Sequence, residues 1–289
     1  MKIYSNEFVY DIIVSGDEMK DIAKKSNTVY LLDKYQIQAS KKYGQNFLID
    51  LNTIKKIVNT TNIDKDTCVI EIGPGIGALS EQLSYHAGHV LCYEIDTRLK
   101  DVLEESLGEF KNIEVIYQDF LTVDLKNVVD DLKKRYHRVC IVANLPYYIT
   151  SDILEHIITS NSQLSSIHAM VQKEVSVKLT DQNYHSPLTF MIESVGSISL
   201  DMIVSKNVFS PAPHVDSAII RIELNEEYNP LLSLVLKPAF TQKRKTIYNN
   251  LKGLFHEKTK DILEECDIKE NKRPEELKIE DYLKLTQFL

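Results

Sequence analysis

Between Thr67 and Ile158 the chain repeats one pattern: a short apolar run, a turn of small or acidic residues, then an amphipathic stretch. The runs CVIEIG, HVLCYEID, IEVIYQDF and RVCIVANL are too short for helices. They are also too continuously apolar for strands with one wet face, so they predict buried strands. Helical spacing follows the first through Leu79, Leu83 and Tyr85, the second from Leu99 to Leu107, and the fourth from Ile149 to Ile158. Strands alternating with helices at this pace predict an α/β architecture, a parallel sheet covered on both faces. The runs Ile167–Val171 and Ile198–Val204, then DSAIIRIEL after the Pro-rich loop SPAPHV, bring the expected sheet to seven strands. The last two have no helix between them and are expected to pair antiparallel.

Beyond Asn229-Pro230 the periodicity is purely helical: Leu231–Phe240, Arg244–Phe255, Lys258–Cys266 and Ile279–Leu289. Residues 1–36 are weakly periodic. The expected division is therefore an N-terminal extension (1–36), a catalytic domain (37–226) and a small all-α domain (227–289). The net charge of -8 weighs against a nucleic-acid partner without excluding one, because a local basic face acts independently of the total. Such a face is available: Lys237, Lys243, Arg244, Lys245, Lys252, Lys258 and Lys260 face only Glu257 over that stretch. Cys68, Cys92 and Cys140 sit in apolar runs and Cys266 stands alone, with no pair or His at ligand spacing, so no metal site is expected. Free thiols and the absence of a membrane-length apolar stretch predict a cytoplasmic protein.

The first strand ends in Glu71-Ile72-Gly73-Pro74-Gly75-Ile76-Gly77, before a helix. Small residues there let backbone approach a ligand at the open end of the sheet. The G-x-G-x-G spacing departs from the dinucleotide fingerprint, which places its third glycine one position later. With acidic Glu71 ahead of it, the loop suits S-adenosylmethionine, which has no pyrophosphate. Glu94 closes the second strand, where a carboxylate can accept both ribose hydroxyls. Asp119 follows the third, where an acid can accept from an adenine amino group.

Asn144-Leu145-Pro146-Tyr147 closes the fourth strand. The proline stiffens the turn and leaves carbonyls without a helix to join. Those carbonyls and the Asn144 amide oxygen can accept from an NH2 group, and Tyr147 offers a face for a base to stack on. The expected chemistry is methyl transfer to an exocyclic adenine amine by orientation, with no metal.

The stretches KKYGQNFLID, EIGPGIGALSEQL, YEID, QDF, NLPYYIT, VQKEV, FSPAPHVDSAIIRI and FTQKRKTIYNNL, in that order, resemble the ribosomal RNA small-subunit adenine dimethyltransferase family over about 90% of the chain. That resemblance implies a class I, Rossmann-like methyltransferase fold with a small helical RNA-orienting domain. It implies S-adenosylmethionine as cofactor, and as partner the 16S rRNA of an immature 30S subunit, met by a monomer. Gln45, Asn46 and Leu48 would close over the methionine part of the cofactor, with Gly73, Gly75, Gly77, Glu94, Asp119 and Asn144 completing its site. Phe209 would sandwich the target base opposite Tyr147, and Lys243, Arg244 and Lys245 would meet RNA. The loop TDQNYHSPLTF is shorter than in the family, and His214 stands where lysine is common. Two alternatives stay open: a large-subunit (23S) enzyme of the macrolide-resistance type, and a non-catalytic ribosome-assembly factor.

Overall fold

The computed structural model describes residues 21–40 and 42–289; the first part of the expected N-terminal extension lies outside them. The strands of the main sheet are β1 (Thr67–Ile72), β2 (His89–Glu94), β3 (Ile113–Tyr117), β4 (Arg138–Asn144), β5 (Ser166–Gln172), β6 (Gly196–Val204) and β7 (Ser217–Leu224). They lie in the order β3-β2-β1-β4-β5-β7-β6. Strands β1 to β5 are parallel, and β7 pairs antiparallel with both β5 and β6. This is the class I methyltransferase sheet.

Beyond β5, strand order departs from chain order. Ser217–Leu224 inserts between β5 and Gly196–Val204, which becomes the edge. Burial explains the choice. Ala218, Ile219, Ile220 and Ile222 are apolar on both faces and fully buried, whereas Leu200 and Ile203 remain exposed. The central position goes to the strand with more apolar surface to hide.

Chain direction away from the first strand reverses between β1 and β4. At such a switch point the loops leaving the two strands splay apart and open a crevice at the carboxyl edge of the sheet. Before the sheet lie α1 (Lys25–Lys34) and α2 (Leu51–Thr60); between its strands lie α3 (Ala78–His86), α4 (Lys100–Leu107), α5 (Leu125–Leu132), α6 (Thr150–Thr159), α7 (Lys173–Thr180) and α8 (Pro187–Val195). Three of these, α5, α7 and α8, lie outside the sequence expectation. Asp124 caps α5 and a Ser186/Thr189 capping box starts α8. Residues 21–36 take part in the core: Ile22, Ala23 and Leu31 are fully buried beside Ile54 and Val69. The backbone N–H groups of Asp21 and Ile22 both donate to the buried Glu81 carboxylate on α3, each at 2.9 Å.

The C-terminal residues form α9 (Pro230–Ala239), α10 (Ile247–Phe255), α11 (Thr259–Glu265) and α12 (Ile279–Leu285). The helix expected from Arg244 starts at Ile247, because Thr246 accepts from the Asn249 N–H and caps it there. Lys243, Arg244 and Lys245 therefore sit in a turn. Phe190 of α8 joins Tyr282 and Phe240 at ring separations of 4.9 and 6.0 Å, so one apolar core continues from the sheet into these helices. Among the described residues no helix is long and apolar enough to cross a membrane. All four cysteines are free and buried, Cys266 included.

Candidate active site

The crevice at the switch point is a cleft of about 1040 Å³, counting the solvent at its mouth. A crevice at this edge of an α/β sheet is where such folds take small ligands. Of the residues expected from sequence, it is lined by Gln45, Asn46, Leu48, Gly73, Gly75, Glu94, Asp119 and the whole of Asn144-Leu145-Pro146-Tyr147. Five segments from separate parts of the chain bring them together.

Gly77 lies behind the first loop. It caps α3 at φ 91°, and a Cβ there would stand 2.8 Å from the Leu107 side chain. The turn thus needs glycine for both its backbone and its packing. Glu71 also faces away from the cleft. It is 1% exposed, and its neighbours are Ser80 on α3 and Cys92 on β2, the Cys92 thiol donating at 3.6 Å. Burial pushes its carboxyl up to about 7. Glu71 therefore braces β1 against β2 and α3 from beneath the loop.

Glu94 is 4% exposed, and burial pushes its carboxyl up to about 7 as well. The Asp96 and Gly75 N–H groups donate to its two oxygens at 2.7 and 3.3 Å, favouring the charged form. Asp119 caps a short turn through Oδ1, which accepts from the Leu121 N–H at 3.0 Å. Among the described residues its other oxygen accepts nothing.

Residues 43–48 fold over this floor. Leu48 pairs with Phe209 in a small antiparallel ladder, and Gln45 donates to the Asp96 carboxylate at 2.8 Å. Asp96, 2% exposed, is gripped on the other side by Arg98 through Nε and Nη2 at 2.8 and 2.6 Å. That grip holds its carboxyl below the usual range. Asp96 and Arg98 escaped the sequence reading. The signal was there, an Asp-x-Arg at the start of a helix beside a ligand edge.

Asn144 donates its amide NH2 to the Asn46 carbonyl at 3.2 Å. A carbonyl cannot donate, so this bond fixes which end of the amide is which and leaves Oδ1 as acceptor. The Pro146 carbonyl, expected to be open, is taken by the Ile149 N–H and the Thr150 hydroxyl at 3.2 and 3.1 Å. Proline does not stop a helical turn from starting immediately after it. Among the described residues the Leu145 carbonyl accepts no hydrogen bond. The Tyr147 hydroxyl lies 2.6 Å from that of Ser217, which is fully buried on β7, so the ring is pinned at its far end.

Two sets of expected residues lie elsewhere. Phe209 is not on the cleft: it is 3% exposed, held in the ladder against Leu48, and belongs to the core beneath it. Lys243, Arg244 and Lys245 are exposed in the turn between α9 and α10, whereas Lys237 is paired with Glu155 at 3.1 Å.

The profile of the family described as "Ribosomal RNA adenine dimethylase" matches residues 36–289. The chain belongs to this family. The ribosomal RNA small subunit methyltransferase A of Oceanobacillus iheyensis is 38% identical over 279 residues, covering 91% of this chain and 94% of its own. The crystal structure of the 23S rRNA methyltransferase ErmE is 28% identical, covers 84% of this chain and 98% of its own, and has a TM-score of 0.61. A dimethyladenosine transferase from Plasmodium falciparum shares the fold at 23% identity, covering 83% of this chain and 95% of its own, with a TM-score of 0.67. Membership implies S-adenosylmethionine as methyl donor. The residues present fit it. A buried carboxylate aimed at the cleft, a second carboxylate with an unused oxygen, and a glycine loop lining the same cavity form a nucleoside site without a phosphate cradle.

Proposed function

We propose that the protein methylates the exocyclic amino groups of two adjacent adenosines in the hairpin loop near the 3′ end of 16S rRNA. Four transfers give dimethyladenosine at both, on an immature 30S particle in the cytoplasm, with the protein acting as a monomer. The observation that supports this reading best is the state of Asn144. Its NH2 is committed to the Asn46 carbonyl, so Oδ1 faces the cleft chemistry as an acceptor, next to the unbonded Leu145 carbonyl.

S-adenosylmethionine, when bound, supplies an electrophilic methyl group on a sulfonium centre. The protein must then make a nucleophile of an aromatic amine, whose lone pair is delocalised into the ring. Asn144 Oδ1 and the Leu145 carbonyl can accept both amino protons, which favours a tetrahedral nitrogen with its lone pair freed for attack. The methylated ammonium loses its proton to water, so no residue is assigned as a strong base. Tyr147, pinned through Ser217, holds the base by stacking. The contribution of the chain is therefore orientation and electrostatic placement.

In the same reading Glu94 takes the ribose hydroxyls and Asp119 the adenine amino group of the cofactor. Gln45, Asn46 and Leu48 cover its methionine part, while Gly73 and Gly75 admit it. Residues 37–226 form the catalytic unit, and 227–289 orient RNA with Lys243, Arg244 and Lys245 on phosphate. A large-subunit target is the second reading, supported by the likeness to ErmE.

The test is single-turnover methyl transfer to 30S particles lacking the modification, at saturating cofactor. Asn144→Ala should bind particles normally and transfer roughly 100-fold more slowly, as when one preorganised polar contact is lost. Equal rates in wild type and Asn144→Ala would remove the mechanism. Transfer by wild type to 50S precursors alone establishes the second reading, and tight binding without transfer to either particle makes the protein an assembly factor.

A further inference from the structure

The cleft has an aromatic residue at its rim that the reading above leaves unused. Tyr148 lines the cleft in the turn Tyr147–Ile149, yet is 58% exposed, the most exposed large apolar side chain among the described residues. It is held in that position. A Cβ on Gly44 would lie 3.2 Å from Tyr148 Cδ1 and 3.4 Å from Cε1, and Gly44 itself has φ 59°, so the ring rests on a backbone that only glycine provides comfortably. One side of the ring is packed and the rest is open to solvent. Its neighbour Tyr147 has the opposite disposition, with its hydroxyl tied inward to the buried Ser217.

We propose that Tyr148 is the stacking platform for the nucleotide adjoining the target adenosine, and so helps select single-stranded RNA. This deepens, and rests on, the reading given under Proposed function. A strand that places one base in the cleft must carry the next base past the rim, where consecutive residues of one turn offer one ring inside and one outside. A nucleobase can stack on any exposed aromatic face with little regard to sequence, and an exposed ring fixed from behind loses little freedom when it does so. Lys42 is exposed next to the cleft-lining Tyr43, with Nζ 5.0 Å from that ring, and would supply a cation for the intervening phosphate.

Two measurements test this. In the first, KM for 30S particles and Kd for S-adenosylmethionine are compared in wild type, Tyr148→Phe, Tyr148→Leu and Tyr148→Ala. The expected result is a rise in KM of at least about fivefold in the Ala and Leu variants, rescue in the Phe variant, and unchanged cofactor Kd in all. Unchanged KM in Tyr148→Ala, or full rescue by Leu, overturns stacking. A cofactor Kd that weakens in step with KM also overturns it, because the ring then serves only to hold Gly44 and the segment over the cofactor. In the second, a hairpin RNA carries 2-aminopurine beside the target adenosine. Its fluorescence should be quenched by wild type and Tyr148→Phe but not by Tyr148→Ala, and equal quenching by all three would refute the proposal. This readout needs no methyl transfer. Quenching without any transfer by wild type therefore sinks the proposed function while leaving the platform standing.

Discussion

Glu71 offers a perturbation whose size can be worked from its surroundings. It is 1% exposed beneath the glycine loop, and burial pushes its carboxyl from 4.5 to about 7. A carboxyl whose folded pKa exceeds its unfolded value contributes stability that is complete below pH 4.5 and lost as the pH rises through 7. At about 1.4 kcal/mol per pKa unit, the loss between pH 5 and pH 8 is on the order of 2–3 kcal/mol. Glu71→Gln has the shape of the protonated acid and nothing to ionise, so it should escape this loss. Relative to wild type it should be close in stability at pH 5 and more stable at pH 8 by roughly 2–3 kcal/mol, about 3–5 °C in Tm. Glu94 titrates in the same range but is present in both proteins, and its coupling to Glu71 is the smallest of the influences on that carboxyl, so most of its contribution drops out of their difference. Thermal unfolding of the ligand-free proteins at pH 5, 6.5 and 8 reads the effect directly. A Tm difference that stays constant across that range would refute the reasoning, since a change in packing alone has no pH dependence.

For Glu94 the sign carries over to binding. A carboxyl with a pKa near 7 must be ionised to accept two hydroxyls, so affinity for S-adenosylmethionine should fall about tenfold per unit below pH 7 and level off above it. Glu94→Ala should lose on the order of 1.5–3 kcal/mol of binding and most of that pH dependence; calorimetry showing a pH profile like that of wild type would remove Glu94 as the ribose anchor. Replacing Lys243, Arg244 and Lys245 together with glutamate should weaken RNA binding and flatten its dependence on salt, with cofactor affinity intact. Normal 30S methylation by that triple variant across salt concentrations would place the basic face elsewhere.

The inner parallel strands were legible because they are buried on both faces and so must be continuously apolar; β3, also expected to be buried, is the edge strand and is fully buried at none of its positions. Strand β1 is buried at every position and β5 at all but its last. The glycine loop and the Asn144 turn were legible because each is a local spacing. Helix α8 was hidden by its own composition: PLTFMIESV is apolar nearly all round, for it is wedged between the sheet and the aromatic group of Phe240 and Tyr282. Local pattern did not distinguish Glu71 and Phe209, which are buried and do not line the cleft, from the residues that do. An acid beside a glycine loop and an aromatic beside two prolines look the same in sequence whether they face a ligand or the core. What decides is which neighbour lies across the turn, and those neighbours are distant in the chain. Gln45 and Asp96 are 51 residues apart, Tyr147 and Ser217 70, and Asn46 and Asn144 98.

Those distant ties also connect the proposed cofactor side of the cleft to the proposed target side. The amide of Asn144 has two ends of nearly equal size and could turn either toward an incoming amine, but only the oxygen can accept its protons. What prevents the wrong orientation is the Asn46 main-chain carbonyl, and that carbonyl is delivered only when residues 43–48 lie over the cleft. Their position in turn depends on Gln45 reaching Asp96, and Asp96 also donates its N–H to Glu94. A continuous chain of bonds thus runs from the carboxylate proposed to hold the ribose to the acceptor proposed to hold the target amine. The side chain of Asn46 stands outside that chain, bonded to the Gly44 carbonyl at 3.1 Å, where it shapes the covering segment. The position of residues 43–48 over the cleft and the orientation of the Asn144 amide are therefore coupled, so a change that loosens the Gln45–Asp96 bond should also free that amide to turn.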